Sequence, residues 1–177
     1  MRNIFLEKPE YKIEQTAMGV WRHYGYENGT SFHEFRSHAM WHGLPFIHYT
    51  SGRSPETGRR VCAKGVIAVG RIACGIIAIG QASVGLIAIG QVSLGLILGI
   101  GQLTFGSAAI GQTAIGVAVG IGQLTTGYIA IGQIAFGKYV LAQFGVGEFV
   151  LSMTRKDSQA IEFFKGWPII KNYIGGA

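Results

Sequence analysis

The sequence predicts an all-β protein whose middle part winds into a β-solenoid. Three observations support this fold class. Glycine recurs about every five residues from Gly65 to Gly147, large and small residues alternate between the glycines, and no charged residue occurs from 72 to 137. Gly is abundant, at 28 residues, but 49% of the chain is hydrophobic, which argues against disorder. A glycine period of five rather than three also excludes collagen.

The repeat unit is a pentapeptide in which each position has its own chemistry. Cutting the chain before each glycine gives GVIAV, GRIAC, GIIAI, GQASV, GLIAI and GQVSL in succession from Gly65. Position one is Gly, positions three and five are mostly large and apolar, and position four is Ala, Ser or Thr in most pentads. Large-small-large alternation is typical of a short strand with one buried face. We therefore expect positions three and five to point inward and position four outward, with Gly supplying positive φ at each corner.

The length of one coil follows from two irregular pentads. Gly95–Ile100 and Gly116–Ile121 have six residues each, and residues 95–115 align without gaps to residues 116–136. This spacing predicts a four-sided coil of 20–21 residues. A flat two-sided coil of about ten residues is the alternative.

Position two alternates between two kinds of residue, so two columns are expected at the corners. One column is a glutamine ladder, in which stacked amides hydrogen-bond to one another and fix the register; its alternative is a set of merely tolerated polar residues. The other column is a row of outward apolar corners. The ladder comprises Gln81, Gln91, Gln102, Gln112, Gln123 and Gln133, and the corner row comprises Val66, Ile76, Leu86, Leu96, Val117 and Tyr128.

The remaining segments read as caps on the repeat. Residues 1–64 form an N-terminal cap with a β-hairpin, which the pair Asn28-Gly29 indicates as a type I′ turn. Residues 65–150 form the solenoid. Residues 151–177 form a C-terminal helix and tail, with a short helix at 159–165 capped by Asp157 or Ser158 and ended before Pro168.

No reactive constellation is visible, which predicts that the chain is not an enzyme. The net charge of +6 is spread over both ends without a cluster of cations, so nucleic-acid binding is not expected. The spacings of five and four among His23, His33, His38, His42 and His48 could converge on a metal, but no carboxylate or Cys accompanies them in a known pattern. We therefore expect ordinary surface or packing histidines, with no metal and no cofactor. We expect Cys74, at an inward position five, to be a small core residue.

The apolar, uncharged stretch 72–137 would be flagged as membrane-spanning by a hydropathy scan. A glycine every five residues does not suit helices, however, so we do not expect membrane-spanning helices there. Residues 1–15 contain no apolar signal region, which predicts a cytoplasmic protein, with export by another route as the alternative.

The leader and the repeat together resemble a recurring sequence pattern. The run FRSHAMWHGLPFIH from Phe35 to His48, Gly52-Arg53, and AKGVIAVG from Ala63 to Gly70 resemble uncharacterised bacterial proteins with many GIIAIG units. The shape of such a repeat is similar to that of pentapeptide-repeat proteins and of bactofilins, which polymerise. The chain lacks the Ala-Asp/Asn-Leu signature of pentapeptide repeats, so their DNA-mimic role does not transfer.

An uncharged repeat surface predicts a structural protein that associates with itself into filaments or sheets. No small-molecule substrate is expected. Two alternatives stay open. Ser83, Ser93, Thr104 and Thr125, if outward, would form an array for ice or a polysaccharide. The segment 163–174 would make the chain a membrane-peripheral scaffold.

Overall fold

The protein is mostly β, with one short helix near its C-terminal end, as the sequence predicts. The computed structural model describes residues 9–167, and the chain divides into two compact units, Met1–Gly90 and Gln91–Ala177. The elements are β1 Lys12–Gln15, β2 Gly19–Gly25, β3 Ser31–Ser37, β4 Met40–Trp41, β5 Leu44–Pro45, β6 Ile47–Ser51, β7 Cys62–Val69, β8 Ile72–Leu151 and α1 Ser158–Lys165. The predicted boundaries at residues 64 and 150 stay predictions.

The N-terminal segment forms a mixed sheet that leads into the repeat. Its strands follow the order β1-β2-β3-β6-β7-β8, in which β1, β2, β3 and β6 are antiparallel neighbours and β6, β7 and β8 are parallel. Strand β6 therefore pairs with the first strand of the repeat and supplies partners for its backbone groups.

The predicted hairpin is present, but its turn is of another type. Strands β2 and β3 pair from Gly19↔Ser37 to Gly25↔Ser31. Gly29 has φ 79° and its N–H donates to the carbonyl of Tyr26 at 3.1 Å, while Asn28 keeps a negative φ. The loop between β2 and β3 is longer than two residues, and its turn is followed by one left-handed residue, Gly29. A type I′ turn needs two successive left-handed residues. The type I′ expectation at Asn28-Gly29 is wrong.

A type I′ turn occurs instead at His42-Gly43, which the sequence analysis did not identify. Strands β4 and β5 pair antiparallel, with Trp41 opposite Leu44, so only two residues connect them. His42 has φ 47° and Gly43 has φ 81°. Two successive left-handed residues match the twist of a two-residue hairpin.

The parallel register of the repeat has a ten-residue offset, which corrects the expected coil length. Strand β7 pairs with the start of β8 in the register Ala63↔Ala73, Gly65↔Gly75 and Ile67↔Ile77. Paired strands are thus ten residues apart and not 20–21, so the two-sided alternative fits this stretch.

The buried position of the pentapeptide is position four, so the expected orientation is inverted. Ala63, Ala68, Ala73 and Ala78, each at position four, form one buried cluster in the first unit. In the second unit Ala130, Ala135 and Val140 pack together in the same way, with Val150. Consecutive pentads therefore bring their small residues together. Positions three and five point outward because neighbouring side chains on a strand alternate in direction.

Glycine is required in the repeat for space and not for positive φ. Among the described residues, the glycines with positive φ are Gly29, Gly43, Gly52 and Gly58, all outside the repeat. A β-carbon on Gly80 would come under 3.0 Å from the carbonyl oxygen of Gly70, the glycine ten residues earlier. Any side chain would therefore collide with the neighbouring backbone. The expectation that glycine turns corners through positive φ is wrong.

The short helix is confirmed, and it packs on the end of the repeat. The ring of Phe163 stacks on Tyr139 with centroids 4.1 Å apart, and Phe164 is buried. Asp157 precedes the helix but makes no side-chain cap; its Oδ2 accepts a hydrogen bond from the Val150 N–H at 2.8 Å. Pro168 lies outside the described residues. Within residues 9–167, no helix combines the length and apolarity needed to cross a bilayer.

Candidate self-association surface

Large apolar side chains at positions three and five cover the outside of the repeat. They lie on the outside because position four, between them, points to the buried side of the strand. In the first unit the exposed members are Ile72, Ile79, Val84 and Ile89. In the second unit they are Val92, Leu94, Ile97, Phe105, Ile110, Ile115, Ile121, Leu124, Ile134 and Phe136. We call these side chains the apolar faces. Contiguous exposed apolar area of this kind marks an interaction surface.

The predicted corner row adds to this apolar area, with unequal exposure along its length. Leu96 is 66% exposed and Val117 78% exposed. Leu86 and Tyr128 are also exposed, whereas Val66 and Ile76 are half-buried. Residues 72–137 carry no charge, so the charged groups nearest to the row lie at its ends, where Arg71 follows Val66 and Lys138 Nζ lies 5.7 Å from the centre of the Tyr128 ring.

The glutamines lie on the surface, where the sequence places them. All six residues of the predicted ladder are exposed. Gln81 accepts a hydrogen bond at 2.9 Å from Nε of Arg71, and both residues line a depression of about 540 Å³ together with Tyr49 and Gly52. Between residues 9 and 167 no hydrogen bond joins two ladder amides, and the ladder stays a prediction.

The hydroxyl array proposed for ice or polysaccharide binding is not on the surface. Ser83, Ser93, Thr104 and Thr125 are buried at position four, each at most 2% exposed. Their hydroxyl oxygens have no hydrogen-bond partner among the described residues. The expectation of outward hydroxyls is wrong, because position four faces the interior.

The two cysteines differ in exposure, and Cys74 does not lie where the sequence predicts. Cys74 is exposed at position five, so the expectation of a core residue is wrong, and Cys62 is half-buried. Both are free thiols. Burial raises the pKa of the Cys62 thiol, and the nearby Cys74 raises it further. A raised pKa keeps the thiol protonated and unreactive.

A buried carboxylate joins four strands of the first unit, and the sequence analysis did not identify it. Glu34 is 1% exposed. Its Oε1 accepts hydrogen bonds from Nε of Arg36 at 2.8 Å and from Nε2 of His48 at 3.0 Å, and its Oε2 is paired with Arg22. His48 Nδ1 in turn accepts from the Lys64 N–H at 2.8 Å. The cluster thus connects β2, β3, β6 and β7.

The electrostatics of Glu34 follow from these partners. Burial alone would raise its pKa, but the hydrogen bonds from His48 and Arg22 and the charges of Arg36 and Arg22 outweigh burial and lower it to about 2. The carboxylate is therefore ionised throughout the physiological range. A signal was present in the sequence, because Glu34 lies in a strand between Phe32 and Phe35, both of which are buried.

The five histidines do not converge on one point. In residues 9–167 no group of three potential metal ligands is present. His48 is committed to the Glu34 cluster, and Nε2 of His38 lies 3.2 Å from the carbonyl of Thr16. His23 and His33, in contrast, face each other across β2 and β3.

Comparison of the chain with protein-family models, with curated proteins and with solved structures finds no match.

Proposed function

We propose that the chain is a structural protein without catalytic activity, whose repeat winds as a flat two-sided β-solenoid and associates laterally with further copies of itself. The observation that carries the proposal is the set of apolar faces: large exposed side chains on a stretch without any charge. Soluble proteins that stay apart intersperse both signs of charge over their surface.

The ten-residue register supports the proposed coil. Each strand of such a coil pairs with the strand ten residues earlier, as β7 and the start of β8 do. In the second unit, Gly132 lies against the carbonyl of Gly122, and Gly137 against that of Gly127, again ten residues apart. The six-residue pentads change the offset locally to eleven, as between Gly122 and Gly111.

The ends of the repeat favour lateral association over end-to-end stacking. At the N-terminal end β6 already pairs with β7 in the first unit. At the C-terminal end Phe163 and Phe164 of α1 pack against the second unit. An unpaired terminal strand would accept another copy through its backbone, whereas a covered end leaves the apolar faces as the contact surface.

The size of the surface is compatible with a stable contact. A specific interface buries about 800 Å² per partner. Its core is depleted in charge and rich in apolar side chains. The faces of the second unit alone offer ten exposed residues of this kind.

Sedimentation velocity and electron microscopy of the full chain test the proposal. We expect concentration-dependent assemblies for the wild type. The double variant Leu94→Lys/Ile97→Lys puts charge on the two most exposed residues of the apolar faces and should shift the protein to monomer. The control Gln102→Lys/Gln123→Lys adds the same charge on the glutamine row and should assemble like the wild type.

Two results would overturn the proposal. One is a monodisperse wild-type monomer at millimolar concentration. The other is assembly of the apolar-face variant, with an unchanged circular dichroism spectrum, at the wild-type concentration.

A second candidate function, peripheral attachment to a membrane, is favoured by the β4–β5 hairpin. Met40, Trp41, Leu44 and Phe46 are all exposed on it, and no charged residue occurs from 37 to 52. Trp is enriched at membrane interfaces, where its ring is buried in the apolar region and its N–H group remains hydrated. The C-terminal anchor expected at 163–174 has less support, because Phe163 and Phe164 pack inward and residues 168–174 lie outside the described ones.

Flotation with liposomes of neutral phospholipid tests this second candidate. Membrane attachment predicts that the full chain floats and that Trp41→Ser/Leu44→Ser does not, whereas Met18→Ser, another exposed position, floats as before. A wild type that stays at the bottom of the gradient excludes attachment to such membranes.

A further inference from the structure

His23 and His33 form a close pair of imidazoles on the antiparallel strands β2 and β3. The two residues are directly opposite in the register. Their Nδ1 atoms are 2.6 Å apart, and the rings meet edge to face at 69°. Two nitrogen atoms this close must share a proton, because two lone pairs would otherwise repel each other.

The hydrogen bonding of the pair leaves lone pairs available to a ligand between the rings. Nε2 of His33 lies 2.8 Å from Oγ of Ser31. If Nε2 of His33 carries a proton and donates it to Ser31, then Nδ1 of His33 has a lone pair that accepts from Nδ1 of His23. If Ser31 instead donates to Nε2 of His33, then Nδ1 of His33 carries the proton and the lone pair is on Nδ1 of His23. A cation bound by both Nδ1 atoms would replace the one shared proton, and that proton moves to Nε2 of the ring that carried it, so that both rings stay neutral.

The rings are held by their neighbours in the way that metal-binding histidines usually are. A ligating imidazole normally makes a hydrogen bond through its other nitrogen, which fixes its orientation. Ser31 occupies that place for His33. The ring of His23 stacks on Trp21, with 5.5 Å between centroids and an interplanar angle of 9°.

We infer that His23 and His33 are a two-imidazole site for a divalent transition-metal ion of the Cu(II), Ni(II) or Zn(II) class. Metal–nitrogen distances of about 2.0–2.1 Å place two ligating nitrogens roughly 3 Å apart. The Nδ1 atoms, at 2.6 Å, reach that separation by a small rotation of either ring. Imidazole is a ligand that suits all three ions.

The surroundings set the strength of the site. Two protein ligands leave the other coordination positions to water or to a group from outside. Lys12 is opposite His23 in the register of β1 and β2, and its charge opposes a bound cation. Lys12→Gln should therefore tighten metal binding several-fold.

Titration of the full chain with CuCl₂, followed by electron paramagnetic resonance, tests the inference. We expect saturable binding of one Cu(II) with couplings to two imidazole nitrogens. His23→Gln and His33→Gln should each weaken binding at least 10-fold and leave one coupling. The matched control His38→Gln/His42→Gln removes two other histidines and should keep both the stoichiometry and the two couplings.

A measurement on the wild type avoids dependence on variants that fold poorly. Cu(II) at substoichiometric concentration should broaden the ring resonances of His23 and His33 before those of His38 and His42. The inference is overturned if all exposed histidines broaden together, or if the variants at 23 and 33 bind Cu(II) as the wild type does.

Discussion

The hydroxyl oxygen of Thr104 occupies the space that a β-carbon on Gly99 would need. Such a carbon would lie under 3.0 Å from Oγ1 of Thr104 and 2.7 Å from the carbonyl oxygen of Phe105. Thr125 and Gly120 repeat this relationship. Each six-residue pentad thus puts a glycine in the core, and position four of the next pentad is threonine instead of alanine or serine. The interior is filled by matched volumes.

Gly99→Ala should therefore be strongly destabilising. The added methyl collides with a side chain and with backbone, and the backbone cannot move without breaking the parallel ladder. We expect a loss of about 3 kcal/mol in the free energy of unfolding, measured with urea. Gly25→Ala is the control, since a β-carbon there meets nothing within 4 Å and φ is not positive. Equal stability of the two variants would refute the packing argument.

Ser93→Ala should stabilise the protein. The Ser93 hydroxyl is buried without a partner among the described residues, and alanine is the usual residue at position four. Removal of an unsatisfied buried hydroxyl is worth about 1 kcal/mol. The reverse change, Ala109→Ser, buries a new hydroxyl and should cost a similar amount. Thermal melts that move both variants in the same direction would contradict this.

Glu34→Gln should destabilise the first unit and flatten its response to acid. The change leaves Arg22 and Arg36 without their carboxylate, at a cost of about 3 kcal/mol at neutral pH. In the wild type the pKa of Glu34 is lowered from 4.5 to about 2. Its stabilising contribution is complete above the unfolded-state value and is lost as the pH falls from about 4.5 towards 2.

Urea denaturation at several values between pH 2 and pH 6 measures this dependence. The wild type should lose stability more steeply over that interval than Glu34→Gln does. Glu27→Gln, in the exposed turn, serves as control and should follow the wild type. Parallel curves for wild type and Glu34→Gln would show that Glu34 does not set the acid response.

His42→Asn should stabilise the β4–β5 hairpin. His42 has φ 47°, a left-handed conformation that Asn adopts more readily, and Asn-Gly is the preferred pair for a type I′ turn. We expect a gain of roughly 0.5 kcal/mol, against no change for His38→Asn, where φ is negative. Slower hydrogen exchange at Leu44 would locate the gain in the hairpin.

Much of this architecture was readable from the sequence, and the errors share one cause. The strand character of the repeat, the hairpin at Asn28-Gly29 and the helix before Lys165 follow from local patterns that need no knowledge of distant contacts. The direction in which the side chains of the repeat point does not follow from local patterns. Alternation shows that Ile77 and Ala78 point to opposite sides, but it does not show which side is the interior.

The sequence by itself determined that the chain is mostly β, that glycine sets the repeat, and that residues 72–137 carry no charge. Only the tertiary structure decided that the small residues face inward and that neighbouring strands are ten residues apart. The physical reason is the close approach of neighbouring backbone segments, which leaves room for Ala, Ser, Thr, Val or no side chain at all. That approach also explains Gly80 and Gly99, which are glycine because neighbouring atoms take the place of a side chain, and it brought together Glu34 and His48, which no local pattern connects.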